Sequence, residues 1–409
     1  MQAPAAPFPL EDADQCVKCG MCLPHCPTYR LTQHEGDSPR GRIMLMQGLA
    51  TGLIAQNATM EAHLDGCLSC RACEAVCPAQ VPYGRLIDAG RALMAPRRPA
   101  QARTTRRIGF WLSHRQARRA AGLLLWLYQR LGLQWLLRRT HLLGHGSLAR
   151  LESLLPAVSL PRPLRSSASA GSARRVMLFT GCTGELADRR TLEDAICVLN
   201  RLGISVEVPE TQGCCGAIYQ HAGLHDDAMK LARINLTAFG DSATRILSSA
   251  SGCGATLLDY PDIVGPRALP FAARVDDLSA CLLAHWPENL QLRPLQARVL
   301  VHVPCTLRNV MKSAGHMTAL LQKIPGIEIA ELDRGGRCCG AAGSYFIAQP
   351  AMADALLQGK LDAARAQAPD FIVSANIGCS MHLAAGLRRA GLSVPVLHPV
   401  SLLARQLPP

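Results

Sequence analysis

No run of eighteen uncharged apolar residues occurs in this 409-residue chain, so nothing in it is expected to span a bilayer. No G-x-G-x-x-G follows a strand-like run, and Gly144-His-Gly146 stands too isolated to make a dinucleotide fingerprint. No Ser/His/Asp order or H-E-x-x-H points to hydrolysis. Residues 1–15 lack a basic stretch followed by an apolar one. No secretory leader is therefore expected, and a reducing cytosol suits the 18 cysteines. The most localised absence is of acid. Between Arg97 and His145 there are eleven arginines and no Asp or Glu, so most of the formal charge of +13 sits in one segment. No helix-turn-helix, zinc-finger or RNA-stacking signature accompanies that charge, which argues against nucleic acid as the partner. At 49% hydrophobic residues the chain can build buried cores, with length for about two to four domains.

What the chain has in excess is cysteine, in a specific pattern. One run reads Cys16-Val-Lys-Cys19-Gly-Met-Cys22-Leu-Pro-His-Cys26-Pro27, and another reads Cys67-Leu-Ser-Cys70-Arg-Ala-Cys73-Glu-Ala-Val-Cys77-Pro78. Both fit C-x2-C-x2-C-x3-C-P, the bacterial iron–sulfur run whose fourth cysteine ligates the other cluster. Three thiolates two residues apart wrap three corners of a cube from one turn of chain. The fourth follows a longer step and points elsewhere. One [4Fe–4S] cluster is thus assigned to Cys16, Cys19, Cys22 and Cys77, and another to Cys67, Cys70, Cys73 and Cys26. A zinc ribbon would use two spaced pairs, and a disulfide framework belongs to small secreted chains.

Ser38 before Pro39 predicts a helix start, with apolar residues running on from Ile43 to Ile54, and a second helix is predicted over Val81–Met94. Residues 1–15 read as extended. Helices between and after the runs favour an all-helical two-cluster module over the small β-hairpin type. Residues 106–143 carry three of the four tryptophans (Trp111, Trp126, Trp135). On a helical wheel Arg115, Arg118, Arg119, Gly122, Gln129 and Arg130 share an arc, with leucines mostly opposite and Trp126 inside the basic arc. Two readings stay open: a helix lying in the headgroup region of a membrane, or a helix packed on the protein with its arginines solvated or bound to a partner. Residues 156–172, ending in SSASAGS, read as a flexible linker.

From Arg174 the chain repeats itself. Val176-Met-Leu-Phe-Thr-Gly-Cys182, Cys214-Cys215-Gly216 and Cys253 are matched by Val299-Leu-Val-His-Val-Pro-Cys305, Cys338-Cys339-Gly340 and Cys379, at offsets of 123 to 126 residues. Strand-like runs (299–303, 205–208, 327–332, 371–374) alternate with helical ones (191–202, 228–239, 317–324, 351–366). Each unit is therefore expected to be a small α/β layer with parallel strands, its cysteines at the carboxyl edge of the sheet and the last of them on a strand. Cys197 and Cys281 fall outside the pattern and read as small buried residues. The set Cys182, Cys214, Cys215 and Cys253 and the set Cys305, Cys338, Cys339 and Cys379 leave three options open. They are a further iron–sulfur cluster or metal, a redox disulfide, or structural remnants of a duplicated site.

At these residues the chain resembles the CCG-repeat iron–sulfur proteins, and two ferredoxin runs ahead of two CCG units look most like the glycolate oxidase iron–sulfur subunits. The resemblance covers the chain outside 96–172. It implies an α+β protein: an all-helical two-[4Fe–4S] ferredoxin module (1–95), the basic segment and linker (96–172), and two duplicated α/β CCG domains (173–290 and 291–409). The fullest form of the repeat ends in C-x-x-C and can carry a noncubane cluster. Here the endings are Cys253-Gly-Ala-Thr256 and Cys379-Ser-Met-His382, so a fifth thiolate is missing, and His382 stands as a substitute ligand or as a solvated or capping side chain. The implied function is an electron-transfer subunit with no catalytic residue of its own. A partner with FAD oxidises glycolate to glyoxylate, and this chain carries the electrons towards a membrane quinone, from the cytoplasmic side and with peripheral membrane contact. A glycerol-3-phosphate or lactate dehydrogenase complex of the same design, a heterodisulfide-reductase-like enzyme acting alone, and a basic nucleic-acid-binding protein are the alternatives.

Overall fold

The computed structural model describes residues 8–140, 142–144, 146–169, 174–333 and 335–408. Among the described residues up to 169 there are helices and no strand. The first stretch differs from expectation, because Leu10–Asp14 is a short helix rather than extended chain; residues 1–7 lie outside the described part. Pro39–Ala50 is helical as the sequence predicts. Ser38 caps it, its hydroxyl accepting from Gly41 N–H at 2.9 Å, which satisfies one of the donors a helix start leaves free. The next helix begins at Tyr83, just past Pro82, and ends at Met94. Ile43, Met46, Met60, Leu64, Leu86, Ile87 and Met94 close one core between these helices, and Cys67 and Cys73 are part of it.

The duplication is visible in the topology. β1 (Arg174–Phe179), β2 (Ile204–Glu207), β3 (Arg245–Ser248) and β4 (Val275–Asp277) form a parallel sheet of order β2-β1-β3-β4. β5 (Ala297–His302), β6 (Ile327–Glu331), β7 (Phe371–Ser374) and β8 (Val396–Leu397) repeat that order as β6-β5-β7-β8. Helices cover the sheets, as parallel strands require. Cys182 and Cys305 open the helices that follow β1 and β5. The last cysteines do not lie on strands: Cys253 and Cys379 sit in the first turn of the helices Ser251–Leu258 and Ile377–Arg389. The strand ends before the cysteine and the helix start turns its sulfur back over the sheet edge. One apolar core, with Leu192, Val198, Leu278, Val299, Leu320 and Leu402 among its members, joins the two sheets. Where they meet, Ser251 N–H donates to Ala375 O at 3.0 Å and the Ser251 and Thr306 hydroxyls lie 2.8 Å apart.

The basic segment forms three helices, Pro99–Ser113, Arg115–Arg130 and Leu133–Thr140. The arc read as basic is partly the inner face. Arg118 is buried and pairs with Glu185 at 2.6 Å, Gly122 packs on Leu186 and Pro161, and Gln129 bonds Pro156 O and Val158 N–H. The leucine arc faces outward, with Leu124 64% and Leu131 70% exposed and Trp135 63% exposed. The stretch read as a flexible linker is pinned through residue 169: Ser167 forms both bonds of an antiparallel bridge with Val206 at 2.8 Å, and residues 170–172 lie outside the described part. Among the described residues no helix is long and apolar enough to cross a membrane.

Candidate metal centres

The two ferredoxin runs fold alike. The residues two and four places after the first cysteine have positive φ in both: Lys18 and Gly20 at 56° and 84°, Ser69 and Arg71 at 48° and 55°. For Lys18, Ser69 and Arg71 this left-handed backbone costs about 1–2 kcal/mol each. The twist turns the chain around the second cysteine of each run. Arg71 is held in place by Glu74 at 2.6 Å and by Asp259 of the first repeat at 2.7 Å.

Cys26, from the first run, lines one cavity with Cys67, Cys70 and Cys73 from the second, closed by Pro27, Arg42 and Tyr83. All four cysteines are buried. Arg42, buried, reaches Cys26 Sγ at 3.9 Å, and Tyr83 OH donates to Cys67 Sγ at 3.6 Å. Ser69 N–H points at the same sulfur at 3.4 Å. Burial pushes the Cys70 and Cys73 thiols well up. A buried thiol set of this kind is costly to ionise alone and is suited to a bound cation, which deprotonates it. The residues present therefore fit an iron–sulfur cluster. The other set is nearer water: Cys19 is exposed, and Cys16, Cys22 and Cys77 are half-buried against the same core. Burial pushes the Cys22 thiol up to about 11.

Each repeat gathers its four cysteines as well. In the first, Cys182 Sγ and Cys214 Sγ are 3.3 Å apart, and Cys253 interacts with Cys215. Asn235 fixes the vicinal pair by accepting from Gly213 N–H and donating to Cys214 O, and Tyr260 OH donates to Cys215 O. In the second, Cys305 Sγ and Cys338 Sγ are 3.9 Å apart, and Asn376 Nδ2 donates to Cys379 Sγ at 3.3 Å. The glycine after each pair has positive φ, which is why no side chain stands there, and each lies against a helix, at Ala228 for Gly216 and Ala353 for Gly340.

His382 is not at this site. It is buried, its Nε2 faces Ala353 O at 3.3 Å, and its ring stacks on Phe346. It is not solvated, and it is not part of the group that His302 forms with Cys339 and Cys379. The histidine at the sulfurs is His302: one of its ring nitrogens, Cys339 Sγ and Cys379 Sγ lie within 4.8 Å of one another. Sequence reasoning missed it, although V-H-V-P-C against L-F-T-G-C was the signal. Cys281 is buried as expected, whereas Cys197 is exposed.

The second repeat also touches the ferredoxin module. Asn309 Nδ2 donates to Cys70 O at 2.7 Å, Tyr345 OH donates to Gly66 O at 3.1 Å, and Cys70, Cys305 and Cys338 line a common cavity.

A paired-run module packed on a duplicated cysteine-rich α/β unit defines a class of iron–sulfur protein. Its parts match family models in order: a 4Fe–4S dicluster domain over residues 12–81, the glycolate oxidase iron–sulfur subunit linker region over 101–155, and a cysteine-rich domain over 176–258 and again over 299–384. The chain is 34% identical to a probable glycolate oxidase iron–sulfur subunit of Bacillus subtilis over 95% of this chain and 92% of that one. It is 34% identical to the glycolate oxidase iron–sulfur subunit of Escherichia coli over 91% and 90%. A lactate utilization protein A of Shouchella clausii is 27% identical over 56% of this chain and 98% of its own. The chain belongs to the family of glycolate oxidase iron–sulfur subunits.

Proposed function

We propose that this chain is the electron relay of a glycolate-oxidising complex. It takes electrons from a flavin-bearing partner and delivers them towards a membrane quinone. The observation that carries the reading is the arrangement of the cysteines. A set near water (Cys16, Cys19, Cys22, Cys77) is followed by a buried set (Cys26, Cys67, Cys70, Cys73), which abuts the cysteines of the second repeat. Four-iron clusters at the two ferredoxin sets supply one-electron storage, which splits the electron pair a reduced flavin offers. The chain's own residues set the environment. The exposed set is the face for a redox partner. Arg42, Tyr83 and Ser69 N–H direct positive or donor groups at the buried sulfurs, which favours the reduced state. Substrate oxidation belongs to the partner chain.

The same reading gives the basic segment its use. It turns exposed leucines and tryptophans outward, among them Leu124, Leu131 and Trp135, and exposed arginines at 103, 107, 119 and 130 flank them. An anionic lipid surface answers both features. On this reading the chain makes peripheral contact with the membrane from the cytoplasmic side.

The test is reconstitution with the co-purifying flavoprotein. Glycolate should reduce the clusters of the complex. With Cys19→Ser or Cys70→Ser, glycolate should still reduce the flavin while electron flow to a quinone stops. Because the relatives matched over nine-tenths of the chain are named for glycolate and the lactate protein matches 56%, lactate is the second substrate to try. A co-purifying complex without flavin would refute the assignment.

A further inference from the structure

The two repeats differ where their cysteines meet. β1 ends at Phe179, three residues before Cys182, and β5 ends at His302, three residues before Cys305. Phe179 is in register with Ser248 and His302 with Ser374, so the two positions are equivalent. Phe179 packs on Phe239 in an apolar cluster. His302 is 2% exposed, its Nε2 has no hydrogen-bond partner, and one of its ring nitrogens lies within 4.8 Å of Cys339 Sγ and Cys379 Sγ. A buried polar atom left this way is destabilising unless something accepts its lone pair.

A second exchange points the same way. Gly216 rests on Ala228 and Gly340 on Ala353, which sets the following helices in one phase. Seven residues further on, the first repeat has Asn235 and the second has Lys360. Asn235 is neutral and fully bonded to the backbone of the vicinal pair and to Tyr260. Lys360 is buried, pairs with Asp333 at 3.1 Å, and lines the cavity that holds Cys305 and Cys338. The second repeat is also the one that shares a cavity with Cys70.

We propose that the second repeat binds an iron–sulfur centre through Cys305, Cys338, Cys339, Cys379 and Nε2 of His302, and that the first repeat, with Phe179 in that place, binds none. The proposal rests on the relay function proposed above. Five donors exceed the four that a tetrahedral zinc ion takes, and the position beside Cys70 suits a centre that exchanges electrons with the buried ferredoxin set. The imidazole supplies the donor that the missing last cysteine of the repeat would otherwise give. A neutral imidazole in place of a thiolate, with Lys360 nearby, raises the reduction potential relative to an all-thiolate centre, as suits a downstream acceptor.

The test uses the full chain purified without oxygen, with iron and sulfide analysis and nitrogen hyperfine spectroscopy on 15N-histidine-labelled protein. The expected result is more iron than two four-iron clusters account for, with a nitrogen coupling that changes on labelling. His302→Gln should abolish the coupling and His382→Gln should keep it. His302→Cys should keep the iron and lose the coupling, which separates ligand loss from misfolding. Cys379→Ser should lose the additional iron and Cys182→Ser should not. Zinc in place of the additional iron, no additional iron, or a coupling that survives in His302→Gln overturns the proposal and leaves the relay standing. Protein with no iron at all overturns the relay itself.

Discussion

Alanine after the vicinal cysteines should be much more damaging in the second repeat than in the first. Gly216 and Gly340 have φ of +94° and +86°, so alanine pays about 1–2 kcal/mol of backbone strain at either. The space around them differs. A Cβ at Gly216 would lie 3.4 Å from Ala228 O, an ordinary contact, whereas one at Gly340 would lie 2.7 Å from Ala353 O and 2.9 Å from its Cα. Those are backbone atoms of the helix Pro350–Gln367, which cannot rotate aside as a side chain can. Shifting the helix adds an overpacking cost of about 1–3 kcal/mol. Gly216→Ala should therefore lose about 1–2 kcal/mol and Gly340→Ala about 2–5 kcal/mol in total. Gly340 N–H also points at Cys338 Sγ at 3.5 Å, so the backbone shift in Gly340→Ala should weaken the centre proposed for that repeat as well. Parallel urea titrations followed by circular dichroism, with iron assayed at each step, read both effects. Equal loss in the two variants would refute the steric argument.

Two further outcomes follow from the same structure. Burial pushes the Asp188 carboxyl up to about 7, above its value of about 3.9 in an unfolded chain. The folded chain therefore takes up a proton, and stability is lost as pH rises through 7, by about 2 kcal/mol between pH 5.5 and 7.5. Asp188→Asn should flatten that part of the denaturation profile, and an unchanged slope would show that Asp188 is ionised in the fold. Leu124→Glu with Trp135→Glu should release the complex from vesicles of anionic phospholipid while leaving its iron content intact. Continued co-flotation would rule out the outward leucine face as the membrane contact.

The parts of this architecture set by local rules are legible in the sequence. Two uninterrupted cysteine runs with trailing prolines, a serine before Pro39, and a period near 124 residues each depend on neighbours in the chain. Three features were not legible, because they depend on which face turns inward. The arc through Arg118, Gly122 and Gln129 looked solvent-facing by charge, yet Glu185 and the 156–158 backbone satisfy it, and the leucines turn outward. Cys253 and Cys379 were expected on strands, but a helix begins two residues before each. His382 attracted attention because it sits where a cysteine would complete C-x-x-C. On a helix that offset carries it to Phe346 and Ala353, while His302, distant in sequence from Cys339, reaches the sulfurs from the strand end.

The crossed pairing of the ferredoxin cysteines is the claim on which the relay depends, and one spectroscopic comparison addresses it directly. Low-temperature EPR of the dithionite-reduced complex should show that Cys77→Ser perturbs the same signal as Cys16→Ser. Cys26→Ser should group in the same way with Cys67→Ser and Cys73→Ser. If Cys77→Ser instead matched Cys73→Ser, each run would hold its own cluster and the crossed arrangement would be wrong.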